Sequence, residues 1–170
     1  MLKIIFLFIT LHSLTASLQA QSKIGIGASI VHNIPLSSTG FGLRADIPVF
    51  SRLHVVPQVK YMPAFNPITE FYGGINLHLI FFKWNKLNVY AAGGVQFNRW
   101  LNYTESLNGK AKETNFLPEA GLGAFYGGRL IGVFAEFKYN ILWNESYAEV
   151  GFLFFPGNLK RGHYICPTYY

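Results

Sequence analysis

A two-residue alternation of apolar with small or polar side chains returns eight times along this chain. Across 41–49, Phe41, Leu43, Ala45, Ile47 and Val49 take one set of positions, while Gly42, Arg44, Asp46 and Pro48 take the other. This period matches the pleat of a β-strand, whose successive side chains point to opposite faces. The pattern also runs through Ile24, Ile26, Ala28 and Ile30, through Leu53, Val55, Pro57, Val59 and Tyr61, and through Phe71, Gly73, Ile75, Leu77, Leu79 and Phe81. It continues in Leu87, Val89, Ala91, Gly93, Val95 and Phe97, then in Phe116, Ala120, Leu122 and Ala124. Ile131, Val133, Ala135, Phe137 and Tyr139 form the seventh segment, and Ala148, Val150, Phe152 and Phe154 the eighth. An even number of strands with an uncharged apolar face is therefore predicted. The 17% aromatic content with 17 glycines also favours strands and tight turns over helices, so an all-helical bundle is not expected.

The opposite face carries most of the few charges. Asp46, Glu70, Glu119, Glu136 and Glu149 lie on it with Arg44, Lys60 and Lys138, interspersed with Gly25, Gly27, Gly42, Gly74, Gly94, Gly121, Gly123, Gly132 and Gly151. A solvated face would carry Lys and Glu freely, whereas only 13% of this chain is charged, about half the usual share. Small residues beside opposed charges describe a crowded interior. An eight-stranded barrel has a lumen just wide enough to be filled by side chains, so glycines would leave room for Arg44, Lys60, Tyr72, Tyr90, Phe134 and Lys138. Unpaired ions there are costly, and the expected arrangement shares Arg44, Lys60 and Lys138 among all five acids. The apolar face would then look at lipid. Tyr61, Phe71, Phe81, Phe97, Tyr139 and Phe154 fall near strand ends, and Trp84, Trp100 and Trp143 at or beside loops, as in interfacial aromatic belts. A competing reading turns the apolar face inward, giving an exported soluble lipocalin-like barrel that binds a small apolar ligand.

Connection lengths add independent information. Breaks after the second, fourth and sixth strands are short, at 50–52, 83–86 and 127–129, whereas those after the odd-numbered strands run through 33–39, 63–67, 101–114 and 142–146. Short turns at one end and longer loops at the other are expected of an outer-membrane barrel with both termini in the periplasm. Residues 1–20 have the three-part layout of a secretory signal peptide: Lys3, an apolar stretch over 4–11, and small residues up to Ala20, with cleavage expected there or nearer Ala16 and Ser17. That apolar stretch is far shorter than the ~20 residues of a membrane-crossing helix. Cys166 is the sole cysteine, so no internal disulfide is available to an exported chain.

With these features the chain resembles the small outer-membrane β-barrel proteins of the OmpA/OmpX type, over 23–156. The stretches that carry the resemblance are Tyr90-Ala91-Ala92-Gly93-Gly94-Val95, Glu119-Ala120-Gly121-Leu122-Gly123 and Glu149-Val150-Gly151-Phe152-Leu153-Phe154-Phe155. The resemblance implies an all-β fold, an eight-stranded antiparallel up-and-down transmembrane barrel, in the outer membrane of a Gram-negative bacterium. It implies outer-membrane lipid and, during biogenesis, the barrel-insertion machinery as partners, with the barrel monomeric. In that family an aromatic residue closes the final strand; Phe154 and Phe155 do so here, and 157–170 follow as a tail.

Converging catalytic groups are not evident in the sequence. No His pair has metal-ligand spacing on a helix, and no cofactor or metal is expected. A lipid A-modifying barrel enzyme is the third reading, but the His-x-Ser step of the deacylase type is missing, since Leu79 and Ile80 follow His78. The formal charge of +6 lacks the clustered Lys and Arg of a nucleic-acid-binding face, so no nucleic acid is expected. The loop at 101–114 carries Glu105, Asn108, Lys110, Lys112 and Glu113, and is the candidate surface for adhesion or ligand contact.

Overall fold

A computed structural model describes residues 24–63, 69–101 and 114–158. The signal segment, the residues Glu105, Asn108, Lys110, Lys112 and Glu113, and the tail beyond Asn158 lie outside the described residues. Eight strands follow one another: β1 (Gly25–Asn33), β2 (Ser38–Pro48), β3 (Leu53–Met62), β4 (Glu70–Trp84), β5 (Leu87–Trp100), β6 (Thr114–Gly127), β7 (Ile131–Asn140) and β8 (Glu145–Phe154). Each pairs antiparallel with the next, and β1 pairs with β8 to close the barrel. A short 3-10 turn, Pro156–Asn158, follows the last strand. Closure removes the unpaired edges that apolar strands would otherwise present to other chains.

The alternation read from the sequence sets the two faces. Along β7, Gly132, Phe134, Glu136, Lys138 and Asn140 are buried while Ile131, Val133, Ala135, Phe137 and Tyr139 are exposed. The barrel is thus inverted relative to a soluble protein, with charge inside and hydrocarbon outside. Leu43 is 60% exposed, Leu122 59% and Val150 61%, whereas Lys138 and Glu136 are at 0% and 4%. A contiguous apolar surface of this extent does not persist on soluble monomers. The soluble lipocalin-like reading needs the opposite arrangement, and the outward apolar face overturns it.

Aromatic side chains ring both ends of that face. Phe41, Tyr61 and Phe71 are cross-strand neighbours, and Phe97 meets Phe116 edge-on at 5.4 Å between ring centroids. At the other end Trp84 (71% exposed), Tyr126 and Phe154 point outward, joined by Phe81 and Phe82. Both of these phenylalanines face out because the β4–β5 register shifts between Ile80 and Phe82, a bulge that strict alternation does not encode. Trp143 departs from the expected belt. It packs on the buried cluster of Val31, Met62, Tyr72, Leu117 and Tyr147 at the end of the lumen, with the Trp100 ring 5.8 Å away.

The connections correct the expected loop asymmetry in part. The tight end has turns at 49–52, 85–86 and 128–130, and the other end has connections at 34–37, 63–69, 101–113 and 141–144. Strand pairing runs further than expected, from Ser38 in β2 and from Glu145 in β8, so two of the four presumed long loops are no longer than 49–52. These two turns are built alike. Asn33 Oδ1 accepts from the backbone N–H of Leu36, and Asn140 Oδ1 accepts from those of Leu142 and Trp143 at 3.0 and 3.2 Å. Each turn ends on a residue with positive φ, Ser37 at 49° and Asn144 at 54°. An asparagine side chain that caps backbone donors makes a compact turn out of a segment that would otherwise be a loop.

Candidate functional site

Three cations and three carboxylates meet at the centre of the lumen. Arg44 projects from β2, Lys60 from β3, Glu119 from β6, Glu136 and Lys138 from β7, and Glu149 from β8. Both oxygens of Glu136 accept from the Arg44 guanidinium, the second at 2.8 Å, and Arg44 also donates to Glu149 Oε1 at 2.5 Å. Lys138 Nζ lies 2.8 Å from Glu136 Oε2, 2.9 Å from Glu149 Oε2 and 3.7 Å from Glu119 Oε1. Lys60 Nζ is farther out, at 3.7 Å from Glu149 and 3.8 Å from Glu119. The cluster is formally neutral. Burial of this kind costs several kcal/mol per ion, and shared bidentate pairing offsets it where each charge meets more than one partner.

Amides and hydroxyls complete the shell. Glu119 Oε1 accepts from Asn76 at 2.9 Å, Gln96 at 3.0 Å and Gln58 at 3.2 Å, while Ser29 donates to Glu149 at 2.7 Å and Tyr90 to Glu136 at 2.7 Å. These are residues that sequence reasoning did not assign to the network, although all lie on the polar face of their strands. Phe134 stacks over the Arg44 guanidinium at 3.9 Å, adding a cation–π contact. The inward glycines make the rings fit. A Cβ at Gly151 would stand 2.6 Å from the Phe134 ring, one at Gly123 2.5 Å from Tyr90, and one at Gly121 2.9 Å from Lys138 Cγ.

Two of the eight charges expected in the network stand apart from it. Asp46 lies toward the tight-turn end, where its carboxylate meets His54 Nδ1 at 2.6 Å. Glu70 lies toward the other end and accepts from the Tyr72 hydroxyl at 2.5 Å. The expectation that five acids share three bases is corrected to three acids sharing three bases. The reason is depth: alternation assigns a side chain to a face, while its height along the barrel depends on register and strand tilt. Above the cluster the lumen is filled by Met62, Tyr72, Leu117 and Tyr147, leaving a space of about 10 Å³ beside Lys60 and Glu119. Below it, the lumen opens toward the tight turns. Among the described residues no group of three or more His, Cys, Asp or Glu is arranged to hold a metal ion.

Closed, inverted and eight-stranded, the molecule has the architecture of a transmembrane β-barrel. It is similar to the N-terminal β-barrel domain of Pseudomonas aeruginosa OprF, with a TM-score of 0.65 and 13% identity over 79% of this chain and 97% of that one. It is similar as well to a de novo designed transmembrane β-barrel, with a TM-score of 0.58 and 13% identity over 78% and 94% of the two chains. A second designed barrel, TMB2.3, gives a TM-score of 0.53 and 16% identity over 79% and 94%. No family model matches the sequence, and no curated protein matches it either. At such identities the likeness is one of fold. That designed chains share it indicates how far alternation and closure alone carry a sequence toward this shape.

Proposed function

We propose that this protein is an integral outer-membrane β-barrel with a closed lumen and a structural or surface-interaction role, its loop at 101–114 forming the contact surface. The observation that carries the reading is the inverted burial: a charged, hydrogen-bonded interior inside a continuous apolar wall with aromatic girdles at both ends. In lipid every backbone polar group must be paired internally, and a closed antiparallel barrel is the β solution to that demand. The role is non-catalytic, which is supported by the commitment of all three central carboxylates to ion pairs. Signal-dependent export, insertion by the barrel-assembly machinery and a monomeric state belong to the same reading. Residence in a Gram-negative outer membrane is part of the same reading, supported by the barrel's apolar outer wall and by the signal-like sequence at 1–20.

Expression with membrane fractionation and surface proteolysis tests it. Recovery in the outer-membrane fraction, a heat-modifiable gel shift and first cleavage between 101 and 114 are expected. A monodisperse monomer without detergent would sink the reading. In planar bilayers the side-chain-filled lumen predicts no steady large conductance, and an altered lipid A profile on expression would favour a lipid-modifying enzyme instead.

A further inference from the structure

The tight-turn end of the lumen is not filled. A cavity of about 640 Å³ lies there, within the size range of small-molecule sites. Its inner wall is fixed by the central cluster. Tyr90, whose hydroxyl is tied to Glu136, stacks on His78 with ring centroids 4.4 Å apart and planes inclined by 15°. A second aromatic surface comes from Phe125, which meets Phe155 edge-on at 5.9 Å. Phe125 sits where it does because Gly127 and Gly132 are cross-strand partners without side chains; a Cβ at Gly132 would stand 2.2 Å from its ring. The mouth is basic. Among the described residues, Lys83, Lys86 and Arg129 line it, and the carboxylate that lines it, Asp46, is engaged by His54. Lys83 Nζ donates to the Ser51 carbonyl at 2.5 Å, which holds that ammonium at the rim.

We propose that this vestibule binds a small amphipathic anion, with a phosphate head among Lys83, Lys86 and Arg129 and a flat apolar body against Phe125, Phe155 and Tyr90. A charged head matches the cationic lining supplied by Lys83 and Lys86 with Arg129 beside them, and the aromatic wall suits a ring or acyl body. The ion-pair cluster seals the inner end, so the ligand enters and leaves by the same mouth and is held without being conducted. A soluble phosphate monoester and the headgroup of an anionic lipid share this chemistry. The proposal rests on the membrane-barrel reading for its setting and goes beyond it in assigning a ligand.

The test uses the full chain in phosphatidylcholine nanodiscs, titrated with phenyl phosphate and with inorganic phosphate. Saturable binding of phenyl phosphate is expected, at least about tenfold tighter than inorganic phosphate from burial of the ring. Lys83→Gln, Lys86→Gln and Arg129→Gln together should weaken it at least about tenfold by removing the charge-assisted contacts, with Lys86→Gln alone giving a smaller loss. Arg99→Gln at the opposite end, with the same loss of one charge as Lys86→Gln, should change nothing. Discs doped with phosphatidylglycerol separate the sources: competition with phenyl phosphate assigns a lipid headgroup, and unchanged affinity a soluble ligand. Inserted, heat-modifiable protein that binds no phenyl phosphate, that binds the two anions equally, or that binds undiminished after the triple substitution overturns the proposal. Failure to insert into discs contradicts the membrane reading instead.

Discussion

Lys138 and Glu136 stand two residues apart on the inward face of β7, and the ammonium of one lies 2.8 Å from the carboxylate of the other. The same ammonium reaches Glu149 across the β7–β8 pair at 2.9 Å, with the lysine fully buried. Lys138 is therefore the hub through which the carboxylates of β6, β7 and β8 are neutralised.

Lys138→Met should destabilise the folded barrel by about 3–5 kcal/mol, because it leaves buried carboxylates without their shared cation. Adding Glu149→Gln should restore part of that loss, since the second substitution removes one of the stranded charges. Reversible urea unfolding in lipid vesicles measures both. Additive losses in the double variant would remove Lys138 from its role as hub.

The glycines separate packing from strand propensity. A methyl at Gly123 would press on the Tyr90 ring, whereas one at Gly93, on the outer face, meets nothing within 4 Å. Gly123→Ala is expected to cost about 1–3 kcal/mol through overpacking. Gly93→Ala should be neutral or gain up to about 1 kcal/mol from lower chain entropy. Comparing the two unfolding midpoints checks the pair, and equal effects would mean that Gly123 is not a packing glycine.

The Asn-capped turn makes a sharper distinction between two asparagines four residues apart. Asn140→Ala strips the acceptor from two backbone donors and should cost about 1–3 kcal/mol. Asn144→Gly, at a positive φ, should be tolerated within about 0.5 kcal/mol, because glycine adopts this conformation without strain. Hydrogen exchange at Leu142 and Trp143 should rise in the first variant and stay low in the second.

Leu122 faces outward beside Ala91 and Phe137, one residue from Gly123 and so level with the ion-pair cluster. Leu122→Lys should destabilise the barrel in lipid vesicles by about 2–4 kcal/mol, the cost of a cation near the bilayer midplane. The substitution is expected to be far milder for Trp84→Lys at the tight-turn rim, where an ammonium reaches the interface.

The parts of this fold that were legible in the sequence are those governed by a period of two. Strand number, the inward direction of Arg44, Glu119 and Lys138, and the outward direction of Leu43 or Val150 follow from alternation, because a one-residue slip would exchange the faces entirely. Height along the barrel was not legible. Asp46 and Glu70 share a face with the cluster yet lie at opposite ends of it, since register between neighbouring strands, not spacing within one, sets depth. The bulge at Phe81 escaped for a related reason: one extra residue breaks the alternation without a glycine or proline to mark it. The turns at 34–37 and 141–144 read as longer loops because the strand residues beside them, Ser38, Thr39, Glu145 and Ser146, are polar. The tight-turn cavity was the least visible feature, as its walls come from β2 to β6, from the turns and from Phe155 beyond β8, which meet only when the barrel closes.

In the membrane the apolar face lies in hydrocarbon and the charged face does not. Nitroxide labels on cysteines introduced at Ile75, Leu122 and Val133 of the full chain with Cys166→Ser, reconstituted in vesicles, read this through collision with oxygen and with a water-soluble nickel chelate. High oxygen and low nickel accessibility at all three sites is predicted. Nickel accessibility equal to that of a label in the turn at 49–52 would mean that this face lies in water.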